Sequence, residues 1–256
     1  MSSIRLGIVG KGGVGKTTVA GLVARAYVER GRTVVAIDTD SNPNLGLSLG
    51  LTLVQTEDIP VLPRSIIVGS GGSTTAERLV AEYGRPTPAG PTLLSAIRVA
   101  EAGAGCTCGG HATVRGMLAD ALSGVDVVLV DMEAGLEHLS RSGGTLAYAD
   151  VLLVVCEPTR KSVLTATRTA ALAEELGIPR TLAVGNKAQS ADDAEFFAAT
   201  LNGDGLTLAA VLPFDPQVAH ADREGTVVAT AIPPALTGSV NQILDAVADT
   251  TSATVQ

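Results

Sequence analysis

Ile4-Arg5-Leu6-Gly7-Ile8-Val9-Gly10-Lys11-Gly12-Gly13-Val14-Gly15-Lys16-Thr17-Thr18 decides how this chain folds. The apolar run Ile4 to Val9 reads as a buried strand, and Gly10 to Thr17 fits G-x-x-x-x-G-K-[ST]. In that pattern glycines let backbone N–H groups close around phosphate oxygens, a lysine neutralises the β- and γ-phosphates and a hydroxyl holds Mg²⁺. Lys16 and Thr17 occupy those last two positions. A helical pattern from Thr18 to Glu29 follows, which turns the positive end of a helix dipole toward the anion. Gly12, Gly13, Val14, Gly15, Lys16, Thr17 and Thr18 are therefore the expected nucleotide cradle.

Outward from this loop, Thr33 to Ile37, Val125 to Val130, Val151 to Val155, Thr181 to Gly185 and Leu206 to Leu212 read as further strands, with helical periodicity filling most gaps. That alternation predicts an α/β fold, a doubly wound and mostly parallel sheet with nucleotide at the carboxyl ends of its strands. At 256 residues and 46% apolar content the chain can bury a full core. The motifs favour a single P-loop ATPase domain over residues 1–256, with a polar, frayed tail after about residue 250. Aromatic residues make up only 2%, so Val, Leu, Ile and Ala must fill the interior. Leu51 to Gly105 is the least legible stretch. In it Pro86-Thr87-Pro88-Ala89-Gly90-Pro91 marks a loop, and Thr74-Thr75-Ala76-Glu77 looks like a capping box opening a short helix.

The net charge of −8 and the shortage of aromatics argue against a nucleic-acid surface, which needs clustered Lys/Arg and stacking platforms. No apolar run is long enough to span a membrane, and the N-terminus leads into a strand instead of a signal peptide. Ser239 to Gln256 contains no Lys or Arg, unlike a basic amphipathic membrane anchor. A cytoplasmic protein without nucleic-acid or membrane partners is expected.

Acids stand at two predicted strand ends. Asp38 and Asp40 in Asp38-Thr39-Asp40 can reach Mg²⁺ or an attacking water, or can cap the next helix. Asp131, closing Val125-Asp126-Val127-Val128-Leu129-Val130-Asp131, has the form of a Walker B residue holding Mg²⁺. Lys11 is not required by the general phosphate-loop pattern. Packed beside Lys16 it would be repelled unless an anion or a neighbouring subunit received it, and the chain carries only four lysines against fourteen arginines.

With that second lysine the sequence resembles the deviant Walker A ATPases, the group of MinD, ParA, nitrogenase iron protein and the arsenite and tail-anchored-protein ATPases. In that family the extra lysine crosses a dimer interface to the partner's nucleotide and acts as an arginine finger does. The resemblance implies a homodimer using ATP and Mg²⁺, with Lys11, Lys16 and Asp40 catalytic and Asp40 orienting the water. It places Thr17, Asp38 and Asp131 around Mg²⁺. Asn186 would hydrogen-bond the adenine edge, an amide offering both donor and acceptor, and Pro213 would lie in a base-contacting loop.

The three cysteines, Cys106, Cys108 and Cys156, are an odd count that argues against a disulfide framework. Cys106-Thr107-Cys108 lies among Gly103, Gly105, Gly109 and Gly110, with little apolar cover. One pair supplies two thiolates, too few for a closed tetrahedral site, whereas two pairs facing across a two-fold axis supply four. Here the resemblance narrows to the CooC-type accessory ATPases of nickel-containing carbon monoxide dehydrogenase, which carry a C-x-C on the dimer surface. They share a run after Walker B like Asp131-Met132-Glu133-Ala134-Gly135-Leu136-Glu137-His138-Leu139. What this implies is an ATP-dependent metallochaperone that inserts nickel into a client metalloenzyme such as carbon monoxide dehydrogenase. Ni²⁺ or Zn²⁺ would sit between the Cys106/Cys108 pairs, an iron–sulfur cluster being less favoured. A second reading is a partner-binding regulatory switch of the MinD/ParA type without metal delivery. The chain departs from these relatives after Asp40, up to Asn44, and around Arg141 to Thr145.

Overall fold

The computed structural model describes residues 3–63, 75–98, 108–119, 124–132, 145–203, 205–224 and 231–249. The phosphate-loop strand, β1, spans Ile4–Gly10 and leads through residues 11–15 into helix α1, Lys16–Glu29. β2 (Val34–Asp38) is followed by two short helices, α2 (Leu45–Ser48) and α3 (Leu53–Glu57), then α4 (Ala76–Tyr83), β3 (Arg85–Pro86) and β4 (Thr92–Ser95). After α5 (Cys108–Ala119) come β5 (Val127–Asp131), β6 (Val151–Cys156), α6 (Arg160–Glu175), β7 (Thr181–Ala188) and α7 (Ala191–Gly203). β8 (Leu208–Pro213), α8 (Pro216–Glu224) and α9 (Pro234–Ala248) complete the described elements.

Among the described residues eight strands form one sheet in the order β3-β4-β2-β5-β1-β6-β7-β8, parallel throughout except where β3 runs antiparallel to β4. Parallel neighbours need crossover connections, which the intervening helices supply. All six expected strands are present within two residues at their starts and three at their ends.

Strand alternation divides the core into two layers. Leu6, Ile8, Val34, Ala36, Val127 and Leu129 pack with α1 and α9 on one face. Val9, Val35, Ile37, Val128 and Val130 pack with α4, α5, α6 and α7 on the other. Cys156 belongs to the second layer, fully buried, and burial pushes its thiol up to about 12.

The least legible stretch contains the edge hairpin. The proline-rich cluster is its turn: Thr87 N donates to Pro91 O at 3.1 Å and the Thr87 hydroxyl to the same oxygen at 2.7 Å. The expected short helix is α4, capped by Thr75, whose hydroxyl accepts from Arg78 N at 3.3 Å. That start places Arg78, not Glu77, at the third helical position, so the reciprocal acid of a capping box is absent. Thr74 and residues 250–256 lie outside the described residues.

Candidate nucleotide and metal site

The carboxyl ends of β1, β2, β5, β7 and β8 converge on the start of α1. Gly10 passes so close to β6 that a Cβ there would stand 2.4 Å from Val155 O, and Gly15, the N-cap of α1, has φ 92°. A Cβ on Gly15 would stand 2.5 Å from Asn186 Nδ2. Only glycine fits either position.

In the loop itself, donors aimed at the mouth meet one carbonyl. Val14 N donates to Lys11 O at 3.4 Å and Lys16 Nζ to the same oxygen at 3.5 Å. Both bonds are long, and Lys16 is nearly buried, so these groups are held loosely at the place a stronger anionic acceptor would take. The side chain of Lys11 is exposed.

Beside the loop lie the acids. Register places Asp38 opposite Asp131, and alternation sends both to the α1 face, where Asp131 meets the Thr17 hydroxyl and the charge of Lys16. Burial, then the charge of Asp38, push the Asp131 carboxyl up to about 8, against the pull of Thr17 and Lys16. Burial likewise raises Asp38, to about 6, with backbone N–H groups of Leu45, Asp40 and Asn44 opposing it. Asp131 Oδ1 is buried with no hydrogen-bond partner. A buried, unpartnered carboxylate oxygen beside a threonine hydroxyl is the donor chemistry a hard divalent cation takes.

Asp38 also holds its own loop. Its Oδ1 accepts from Asp40 N at 3.0 Å and its Oδ2 from Leu45 N, the first residue of α2, at 2.9 Å. Of the two roles the sequence left open, holding the loop and opening the next helix is the one this geometry displays. Asp40 lines the cleft and its carboxylate accepts from Asn42 N at 2.9 Å.

The cleft itself has a volume of about 510 Å³. Its polar half is Gly12, Gly13, Gly15, Lys16, Thr17, Thr18, Asp40, Asn186, Lys187, Asp215 and Asp222. The apolar half combines Val19 and Leu22 of α1 with Leu212, Pro213, Phe214, Val218, Ala219 and Leu236. Asn186 and Pro213 thus lie on one cavity with the phosphate loop, and Val14, whose carbonyl accepts from Asn186 Nδ2 at 2.8 Å, is fully buried beneath it. The wall formed by α8 was not anticipated. Its sequence signal is Asp215-Pro216: Asp215 Oδ1 accepts from Gln217 N at 2.7 Å and Val218 N at 3.3 Å, and proline suits the first helical position.

Cys106 lies outside the described residues, as do residues 133–144, and of Cys108 only the backbone, opening α5, is described. Among the described residues no group of three or more His, Cys, Asp or Glu could hold a metal ion. Among them, too, no helix is long and apolar enough to cross a membrane.

A doubly wound sheet whose first strand runs through a glycine loop into a helix defines a P-loop nucleotide-binding ATPase. Residues 8–228 match the CobQ/CobB/MinD/ParA nucleotide binding domain, and the chain belongs to that family. It is 34% identical over 242 residues to the carbon monoxide dehydrogenase accessory protein CooC of Rhodospirillum rubrum, covering 87% of this chain and 88% of that protein. An uncharacterized ATP-binding protein of Methanocaldococcus jannaschii is 32% identical over 237 residues, covering 87% and 90%. In fold, the chain resembles MinD of Pyrococcus horikoshii OT3, solved complexed with Mg-ADP, at TM-score 0.74 and 20% identity over 99% of this chain and 98% of that one.

Proposed function

We propose that this ATPase is a cytoplasmic, homodimeric metallochaperone that couples ATP hydrolysis to nickel insertion into a client metalloenzyme such as carbon monoxide dehydrogenase. The observation that carries this reading is the 34% identity to the accessory protein CooC over nearly the whole of both chains. Cys106-Thr107-Cys108 supports it by offering two thiolates per chain, four across a dimer. Residues 1–256 would act as a single ATPase domain.

In this reading Lys16 and Lys11 neutralise the phosphates, Lys11 from across the dimer, and Asp40 orients the attacking water. Thr17 and Asp131 would hold Mg²⁺, whose chemistry is to neutralise charge developing on the β- and γ-phosphate oxygens. Asp38 keeps the Asp40 loop in place through Asp40 N and Leu45 N. Asn186 and Pro213 face the base. Catalysis is thus electrostatic and positional.

The test is metal content against mass in solution, with and without nucleotide. About one nickel or zinc per dimer, lost in the Cys106→Ser/Cys108→Ser variant, supports the chaperone. A metal-free protein that still dimerises with ATP would support the regulatory switch instead, in the manner suggested by 27% identity to the antiactivator FleN of Pseudomonas aeruginosa. Bound iron with visible absorbance would point to a cluster.

A further inference from the structure

Successive side chains on a strand point to opposite faces, yet Asn186 and its neighbour Lys187 both reach the phosphate loop. Asn186 Nδ2 donates to Val14 O at 2.8 Å and Lys187 Nζ to Gly13 O at 2.5 Å. The cause is local. The pairing of β7 with β8 shifts register between Gly185 and Ala188, and Lys187, alone among the described non-glycine residues, has a positive φ, 61°. A bulge of this kind re-aims a side chain and is typical beside active sites, and a non-glycine residue held at left-handed φ points to function.

We propose that Lys187 is a positioning residue of the phosphate loop, bracing its backbone for the β-phosphate of a nucleoside di- or triphosphate. A trans peptide points its carbonyl and the next N–H in opposite directions. Holding Gly13 O toward Lys187 therefore turns Val14 N–H away, toward the loop mouth. Holding Val14 O toward Asn186 does the same for Gly15 N–H. Two consecutive amides are set for a phosphate oxygen before any arrives, so binding costs less reorganisation. Val14 N points into the mouth, at Lys11 O. The proposal rests on reading Gly10 to Thr18 as the phosphate cradle.

The experiment measures ADP and AMP affinity, each with Mg²⁺, in full-length variants checked by thermal melting. Lys187→Met keeps the stem and removes the ammonium. Its ADP dissociation constant is expected to rise about tenfold, with that of AMP, which lacks the β-phosphate, within about twofold of the unsubstituted protein. Lys187→Gly suits the left-handed backbone and guards against a folding defect in the Met variant. It is expected to lose ADP affinity equally while melting no lower. Unchanged ADP affinity in the Gly variant would overturn the proposal, since the bulge alone would then set the loop. Equal loss of AMP and ADP in the Met variant would overturn it too, placing Lys187 on the base. Lys16→Ala separates the underlying reading: if that variant binds ADP normally, the phosphate cradle itself is misassigned.

Discussion

β1 begins beside one charge pair and ends beside another, and the two are built on opposite principles. At its amino end Arg5 N and Nε donate to Asp150 Oδ2 at 2.8 and 3.0 Å, Nη2 to Oδ1 at 2.6 Å and Nη1 to Leu118 O at 3.0 Å. Opposite charges meet there, partly exposed, with both carboxylate oxygens hydrogen-bonded. At the carboxyl end two acids, Asp38 and Asp131, stand side by side almost fully buried, and one oxygen of Asp131 has no partner. The first arrangement ties β1 to the start of β6 and to α5. The second keeps unfavourable electrostatics where a ligand can relieve it, as functional sites do.

The largest effect expected from breaking this contrast falls at the carboxyl end. Lys11→Ala is expected to lower turnover on the order of 10³-fold, the scale of an arginine finger, while ADP affinity stays within about threefold. Lys16→Ala should lose both. Phosphate release and ADP titration on the same preparations decide it. If Lys11→Ala weakens ADP as much as Lys16→Ala does, Lys11 serves its own loop and not a partner's nucleotide.

Next in size is a pH effect whose sign follows from the acids. An unfolded chain ionises both aspartates near pH 4, whereas the folded protein holds their protons to about 6 for Asp38 and about 8 for Asp131. Between those limits the folded state binds more protons. The associated stability is full below about pH 4 and is lost as pH rises through the folded values, at up to about 1.4 kcal/mol per pH unit for one group. Metal-free protein should therefore melt lower at pH 8.5 than at pH 6, and Asp131→Asn should flatten the dependence while sharply reducing turnover. Binding of Mg–nucleotide should release protons, measurable by calorimetry in buffers of different ionisation enthalpy. A melting temperature that climbs from pH 6 to 8.5 in EDTA would contradict the raised carboxyls.

How much of this the sequence displayed depended on whether a feature is made by neighbours in the chain. Gly10 to Thr18 was legible because each residue type answers to a phosphate oxygen, and the central strands were legible because burial on both faces forces unbroken runs such as Val127–Asp131. β3 was not: it is two residues long with both side chains exposed, so no alternation can mark it. The capping role of Asp38 needs Leu45, seven positions on. Lys187 could not be separated from a plain loop lysine, because its bulge is a matter of pairing with β8. The α8 wall was not legible for a different reason: Asp-Pro is common in loops, and only the bonds from Gln217 N and Val218 N to Asp215 Oδ1 mark it as a helix start.

At the amino end the expected effect is smaller and purely structural. Arg5→Met should cost about 1–2 kcal/mol, discounted for the partial exposure of the pair, and leave turnover at saturating ATP within about twofold. Urea unfolding with a parallel ATPase assay tests it. A loss of activity larger than the loss of stability would mean the two ends of β1 are coupled and the contrast is too simple.

Thr39 gives the smallest effect and the finest division between frame and machinery. It lies between Asp38 and Asp40, yet alternation turns it to the opposite face, fully buried, where its hydroxyl donates to Asp131 O at 2.9 Å and lies 3.4 Å from Met132 Sδ. Asp131 O also accepts from Thr39 N at 3.0 Å. Thr39→Val keeps the shape and removes the hydroxyl, and the carbonyl it leaves still has its backbone donor, so no buried acceptor is orphaned. The cost should then fall at the low end for a hydrogen bond, about 0.5–1 kcal/mol. If Thr39 only fastens β2 to β5, turnover will stay within about twofold. A drop well beyond that, at near-normal stability, would show that the segment after Asp131 and the loop bearing Asp40 move together through this hydroxyl.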